Sequence, residues 1–182
     1  DEFIRAWGIR IQTDRREILE TRPNKFVQIQ LNRFKTMAKT DPSPAVRLAL
    51  ASAMQRVNDE TAWSIAESLS HHVEDSDDRS IPKLLYQSIA QRMTNEANVT
   101  RALSIAKAAA IPQIANWIYW YASTREGSGL NKVLTILGET KGDDQRRLLS
   151  LISHALSTRA NVAAPAAWAK VSASLYENSD PR

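Results

Sequence analysis

Apolar residues recur every three or four positions along nearly the whole chain, the period of an α-helix, and nowhere alternate with polar ones over the length of a strand. The pattern comes in blocks. The first sets Phe3, Ile4, Trp7 and Ile11 on one helical face. The second, from about Lys25 to Lys39, has Phe26, Ile29, Phe34 and Met37 as its expected buried side. Asp41-Pro42-Ser43-Pro44 breaks it, because prolines and an Asx residue favour a turn. A helix is then predicted from about Pro44 to Arg56, with Val46, Leu50, Ala53 and Met54 inward. Another follows Asn58 or Asp59, either of which can cap it, with Trp63, Ile65, Ala66 and Leu69 at helical spacing. The acidic turn "EDSDDRS" leads to Ile81-Pro82, a proline in a first helical turn. "NVTRALSIAKAAA" and "IPQIANWIYWYAS" form the next pair, and "REGSG" is the clearest loop. "LNKVLTILGET", "DDQRRLLSLISHALST" and "NVAAPAAWAKVSASLYEN" complete an all-α chain of about ten helices.

A repeat lies under the blocks. "IRAWGIRI" from Ile4 and "VRLALASA" from Val46 align on an apolar–Arg pair, so their offset is 46 − 4 = 42 residues. That falls inside the roughly 40–47-residue period of HEAT-type helical repeats. Later blocks lose the arginine, and Ile81-Pro82 and Ile111-Pro112 hold similar helix-start positions at shorter spacing. The expected architecture is a HEAT-like α-solenoid of antiparallel hairpins, one domain over residues 1–182. In such a stack Arg47 is expected to lay its aliphatic stem over the packed face. Its guanidinium would turn to Asp or carbonyl groups of a neighbouring repeat. Asp41 is expected to accept amides of its own turn, and Arg5 echoes Arg47. Asp41, Arg47 and Arg5 are the candidate residues for repeat register, a structural role.

Composition narrows the chemistry. Only five glycines among 182 residues suits helix. The absence of cysteine excludes disulfides, thiolate zinc sites, Cys nucleophiles and covalent haem c attachment within these residues. The net charge is +4, with the two signs interspersed apart from a basic-leaning stretch between Arg15 and Lys39; this reads as a solvated mixed surface rather than a nucleic-acid patch. No apolar run approaches a membrane span. The chain opens on Asp1 and closes on "NSDPR", and both ends read as those of a segment of a longer protein.

Three groups invite a sharper reading. His71 and His72 precede Glu74, Asp75, Asp77 and Asp78, but adjacent histidines on a helix diverge by about 100°, so helix-end capping is expected rather than metal binding. His154 stands alone in "LLSLISHAL" and is expected to pack or cap. Within Asn116 to Ser123, Trp117, Trp120 and Tyr121 share a face and Tyr119 points elsewhere. Inter-repeat core, a partner-binding surface and a base-stacking platform compete there. Flanking Ile114 and Ile118 favour core, whereas exposure would mark an interface. Trp117, Trp120 and Tyr121 are the candidate interaction surface. No serine elbow, phosphate loop or dinucleotide fingerprint occurs, and no catalytic, cofactor-binding or metal residue is assigned.

Taken in order, "RAWGI", "DPSPAVRLALASAMQRV", "WSIAESLSHHVEDSDDRSIPKLLYQSIAQ", "RALSIAKAAAIPQIANWI" and "APAAWAKVSASL" give the chain a resemblance that covers nearly all of it. It resembles the HEAT-repeat segment of large planctomycete and verrucomicrobial proteins similar to membrane-bound, quinoprotein-type sugar dehydrogenases. These join a β-propeller, a helical-repeat segment and a cytochrome c module. The resemblance implies an exported or periplasmic parent linked to redox chemistry. It implies for this segment a non-catalytic scaffold, whose partners are neighbouring domains of the same parent or a separate protein. It carries no catalytic residue and no cofactor into the chain, because neither the propeller nor a C-x-x-C-H motif is present, and Tyr86 stands where such proteins often have Trp. The rival reading is a HEAT-like alkylpurine DNA glycosylase, with a cationic concave face, aromatic residues and a catalytic Asp. The scattered basic residues argue against it, and a nucleic-acid partner is not expected.

Overall fold

The helical blocks fold as helices in the computed structural model, which describes residues 1–14, 25–125 and 127–177. Among these residues there are ten α-helices and no strand: α1 (Glu2–Asp14), α2 (Lys25–Thr40), α3 (Pro44–Ala53), α4 (Asp59–Leu69), α5 (Ile81–Arg92), α6 (Glu96–Ala108), α7 (Pro112–Ser123), α8 (Ser128–Glu139), α9 (Gly142–Leu156) and α10 (Trp168–Glu177). A 3-10 turn, Val73–Asp75, lies between α4 and α5. The fold is all-α.

Side-chain caps explain several starts. The Asn58 side chain accepts from the Thr61 amide and so caps α4, leaving Asp59 in the first turn. Asp78 Oδ1 accepts from the amides of Ser80 (2.8 Å) and Ile81 (2.7 Å) at the head of α5. Asn95 does the same for Asn98 in α6. Pro44 opens α3, where its missing N–H costs nothing. This helix ends at Ala53 rather than near Arg56, and the chain turns over the next residues.

The chain divides into two compact units, Asp1–Arg92 with Lys107–Ile114, and Met93–Ala106 with Ala115–Arg182. In the first, α1, α3 and α5 lie side by side in a row, while α2 packs on α4. Neighbours are therefore helices two apart in sequence, the local arrangement of stacked helical hairpins. Val46, Leu50, Ala53 and Met54 of α3 are buried, as are Trp63, Ile65, Ala66 and Leu69 of α4.

The two N-terminal helices bury a face that their large apolar residues do not mark. Phe3, Ile4, Trp7 and Ile11 stand exposed, between 59% and 73% accessible, and α1 buries Ala6, Ile9 and Thr13. On α2, Phe26 and Ile29 are exposed, and Val27, Leu31, Phe34 and Ala38 face inward. Met37 is half-buried. The reason is geometric. Each helix carries two apolar stripes, and helical period cannot say which one a neighbour covers.

In the second unit α8 packs on α10 and α9, with Leu130, Val133, Leu134 and Leu137 meeting a core that includes Leu148, Ile152, Ala155 and Val171. Two glycines set close approaches. A Cβ on Gly138 would sit 3.1 Å from Val171 Cγ2. A Cβ on Gly129 would sit 2.5 Å from the carbonyl oxygen of Ala122 and 2.9 Å from Arg125 Cβ.

Replacing a helical glycine by alanine ordinarily stabilises a helix by up to about 1 kcal/mol. For Gly129→Ala the sign should reverse, with a loss of about 1–3 kcal/mol, because the methyl group meets backbone that must move. Urea denaturation reads this directly. A midpoint at or above that of the parent protein would mean that the turn between α7 and α8 yields at no cost.

Candidate functional site

Two arginines on the α1–α3–α5 row each clamp the acid that precedes the next helix of the row. Arg5 of α1 holds Asp41 through Nε to Oδ2 at 2.7 Å and Nη2 to Oδ1 at 2.9 Å. Arg47 of α3 holds Asp75 through Nε to Oδ2 at 2.6 Å and Nη2 to Oδ1 at 2.7 Å. Both pairs are bidentate, the fork-to-fork geometry that a lysine cannot make. The third nitrogen of Arg47, Nη1, donates to the carbonyls of Asp41 (3.2 Å) and Pro42 (3.0 Å). Asp41 Oδ1 in turn accepts from the Ser43 amide at 3.0 Å, and Ser43 Oγ donates to Glu2. A continuous string of hydrogen bonds thus runs from α1 through the turn before α3 to the turn before α5.

Burial separates the two clamps. The Arg5 side chain is about one-third exposed, at 34%, and its partner Asp41 is buried. Arg47 and Asp75 are both buried, with side chains 2% and 3% accessible. A charge pair so enclosed pays heavily for desolvation, and it is tolerated because every nitrogen of the guanidinium has an acceptor. Asp41 is held below the usual carboxylate range, first by the hydrogen bonds from Arg5, against the opposing effect of burial. The Ser43 amide and the charges of Arg5 and Arg47 add to the lowering. Arg47 is pushed up, chiefly by its hydrogen bonds to Asp75.

The acidic turn joins this site. His72 reaches Glu74 Oε1 with Nδ1 at 3.0 Å and the Ala38 carbonyl near the end of α2 with Nε2 at 2.9 Å. Glu74 is lowered first by that hydrogen bond from His72. His72 therefore bridges two segments, while His71 is exposed. No group of three or more metal-ligating side chains converges among the described residues. Arg92 adds a further tie at the far end of α5, donating from Nη2 to the Met54 carbonyl at 2.8 Å and pairing with Asp59 at 2.9 Å. Asp75 as the receiver of Arg47 is the residue that sequence reasoning missed. No signal in the sequence separated it from Glu74, Asp77 and Asp78 in the same turn.

The aromatic candidates lie in the second unit. Along α7 the buried line is Ile114, Ala115, Ile118, Tyr119 and Ala122. Trp117, Trp120 and Tyr121 sit at its margin, half-buried. Burial raises Tyr119 above the ordinary phenol value. Trp120 meets the exposed His154 ring at 6.5 Å between centroids, and Arg125 lies over the Tyr121 ring at 5.7 Å. The basic residues singled out near the N-terminus divide: Lys25, Arg33, Lys35 and Lys39 lie on α2, whereas Arg15, Arg16 and Arg22 lie outside the described residues. Compared with protein-family models, with curated proteins and with solved structures, the chain matches none.

Truncating Arg47→Ala leaves Asp75 buried without its cation and should cost about 3–5 kcal/mol. Arg47→Lys should recover only part of this, because an ammonium cannot span both carboxylate oxygens and both carbonyls. Equal midpoints for the alanine variant and the parent protein in urea would contradict the buried clamp. A second outcome concerns acid. Asp41 titrates lower when folded than unfolded, so its contribution is complete above the unfolded carboxylate value and disappears as pH falls through the folded one. The urea midpoint should therefore fall as the pH drops below about 4, with a shallower fall in Asp41→Asn. Identical slopes in the two proteins would remove Asp41 as a source.

Proposed function

We propose that the chain is a non-catalytic helical scaffold of the solenoid type, which positions neighbouring domains or a protein partner. The observation that carries this reading is the enclosed Arg47–Asp75 pair coupled to Arg5–Asp41, because the buried charge joins successive helices of one row. In a stack of this kind each hairpin buries its apolar face on the next, so the array holds other elements at a set spacing without a central core. The half-buried edge of Trp117, Trp120 and Tyr121 is the surface offered to a partner on this reading, since tryptophan and tyrosine dominate interface energetics. The parent protein, by the sequence resemblance, is an exported redox protein of the dehydrogenase–cytochrome kind. Reading the coding sequence on either side for a propeller and a C-x-x-C-H motif tests that part.

The glycosylase alternative requires an acid free to act in an aromatic, cationic cleft. Among the described residues both buried aspartates, Asp41 and Asp75, are instead engaged by arginines. The scaffold reading expects no abasic sites above background when a methylated duplex is incubated with the pure chain. It also expects at most weak DNA binding that fades steeply with salt. Release of alkylated bases, lost on replacing a single aspartate, would make the enzyme reading the correct one.

A further inference from the structure

The last turn of α2 leaves carbonyls without intrahelical amide partners, as every helix end does. The Met37 carbonyl accepts from the Asp41 amide at 2.9 Å. The Ala38 carbonyl would be served by residue 42, but that residue is Pro42, which has no N–H. Its donor comes from farther along the chain: His72 Nε2 stands 2.9 Å from it. The other ring nitrogen, Nδ1, stands 3.0 Å from Glu74 Oε1. Both nitrogens thus face acceptors. A neutral imidazole has one N–H and makes one of these bonds; the imidazolium has two and makes both. The place suits a charged ring on a second count, because a helix C-terminus favours a cation.

The surrounding charges are otherwise engaged or turned to water. Arg47 is paired with Asp75, and Arg5 with Asp41. Asp78 caps α5. Lys39 of α2, Glu67 of α4, and His71, Asp77 and Arg79 near His72 in sequence are exposed, and Lys35 of α2 is half-buried. Among the described residues Glu74 is the charged group in contact with the ring, and Arg47 Nη1 lies 3.6 Å from the same Glu74 oxygen. The two acceptors differ in what they can do without the ring. The Glu74 side chain is 55% exposed and can turn to water. Ala38 is fully buried, and its carbonyl has no amide to replace the imidazole.

We propose that His72 is a proton-dependent clasp between the end of α2 and the acidic turn that receives Arg47. In mild acid the imidazolium holds the Ala38 carbonyl and Glu74 together. On losing a proton the ring keeps Nε2–H on the carbonyl and releases Glu74, so the turn that carries Asp75 loses a tie to α2. The contribution to stability is complete below the unfolded histidine value, about 6.5, and is lost as the pH rises past it. This runs opposite to the contribution of Asp41 and in a separate pH window. It does not rest on the scaffold reading.

The test is the urea midpoint of the full chain between pH 5 and pH 8, for the parent protein, His72→Gln and Glu74→Gln. The parent midpoint should fall across this range. The fall should be smaller in His72→Gln, whose new side chain is neutral throughout while every other titrating group is unchanged. Glu74→Gln should also flatten the profile, because its amide can donate to the bare Nδ1, and its midpoint at pH 8 should equal or exceed that of the parent. A histidine with a merely structural role would instead lower the midpoint equally at every pH when replaced. Nitrogen-15 spectra of the ring give a second readout, with both nitrogens protonated at pH 5 and the Nε2–H tautomer at pH 8. Parallel profiles for the parent and His72→Gln overturn the proposal, and so does a neutral ring protonated on Nδ1 at pH 8.

Discussion

Arg47 cannot be enclosed unless Asp75 and the carbonyls of Asp41 and Pro42 are all in place, and that requirement fixes how three segments of the first unit meet. The guanidinium is a rigid planar fork, so a shift of α3 by one turn, about 5.4 Å, would strand it. The faces around it could not enforce this. α3 is built largely of alanine and leucine, "PAVRLALASA", and a smooth surface of that kind packs almost equally well in several offsets. Apolar contact supplies the attraction between the helices of the row. The buried pair decides where along one another they stop.

The second unit handles the same problem without a buried ion pair among its described residues. Its close crossings rest on glycine: Gly138 lets α8 approach Val171 of α10, and Gly129 tucks against the Ala122 carbonyl. The ties between loops use neutral groups or single donors, as where the Ala167 amide meets Asn131 Oδ1 at 2.8 Å and Arg159 donates to the Thr124 carbonyl. This contrast follows the sequence, in which the apolar–Arg pair appears at Ile4 and Val46 and then stops. Where the fork is absent, steric shape fixes the contact.

Much of this was open to reading from the residues. Helix number and the turns at Asp41 to Pro44 and Asp78 to Pro82 were legible because proline and Asx chemistry act locally. The burial of Arg47 was legible because it interrupts an apolar face with a residue that needs acceptors. Its receiver was not. Asp75 sits among Glu74, Asp77 and Asp78, and only the fold distinguishes the acid that is 2% accessible from neighbours that cap or face solvent. The inward face of α2 was misread for a similar reason, with Phe26 and Ile29 exposed and Val27, Leu31 and Ala38 buried beside Phe34. On α1 the bulkiest face, Phe3, Ile4, Trp7 and Ile11, is exposed, and Ala6, Ile9 and Thr13 are buried.

That inversion has a physical logic of its own. Helices that stack tightly in a row put small residues at the contact, because interaxial distance follows side-chain size. α3 shows the pattern fully, with Ala49, Ala51 and Ala53 all buried between two neighbours. α1 shows it on one side only: Ala6 and Ile9 lie toward the row, and Gly8 lies by a groove between α1 and α2. Large residues beside a glycine on a face that no described residue covers, with two buried amide oxygens, those of Gln12 and Gln30, lacking donors among those residues, carry a cost in free energy.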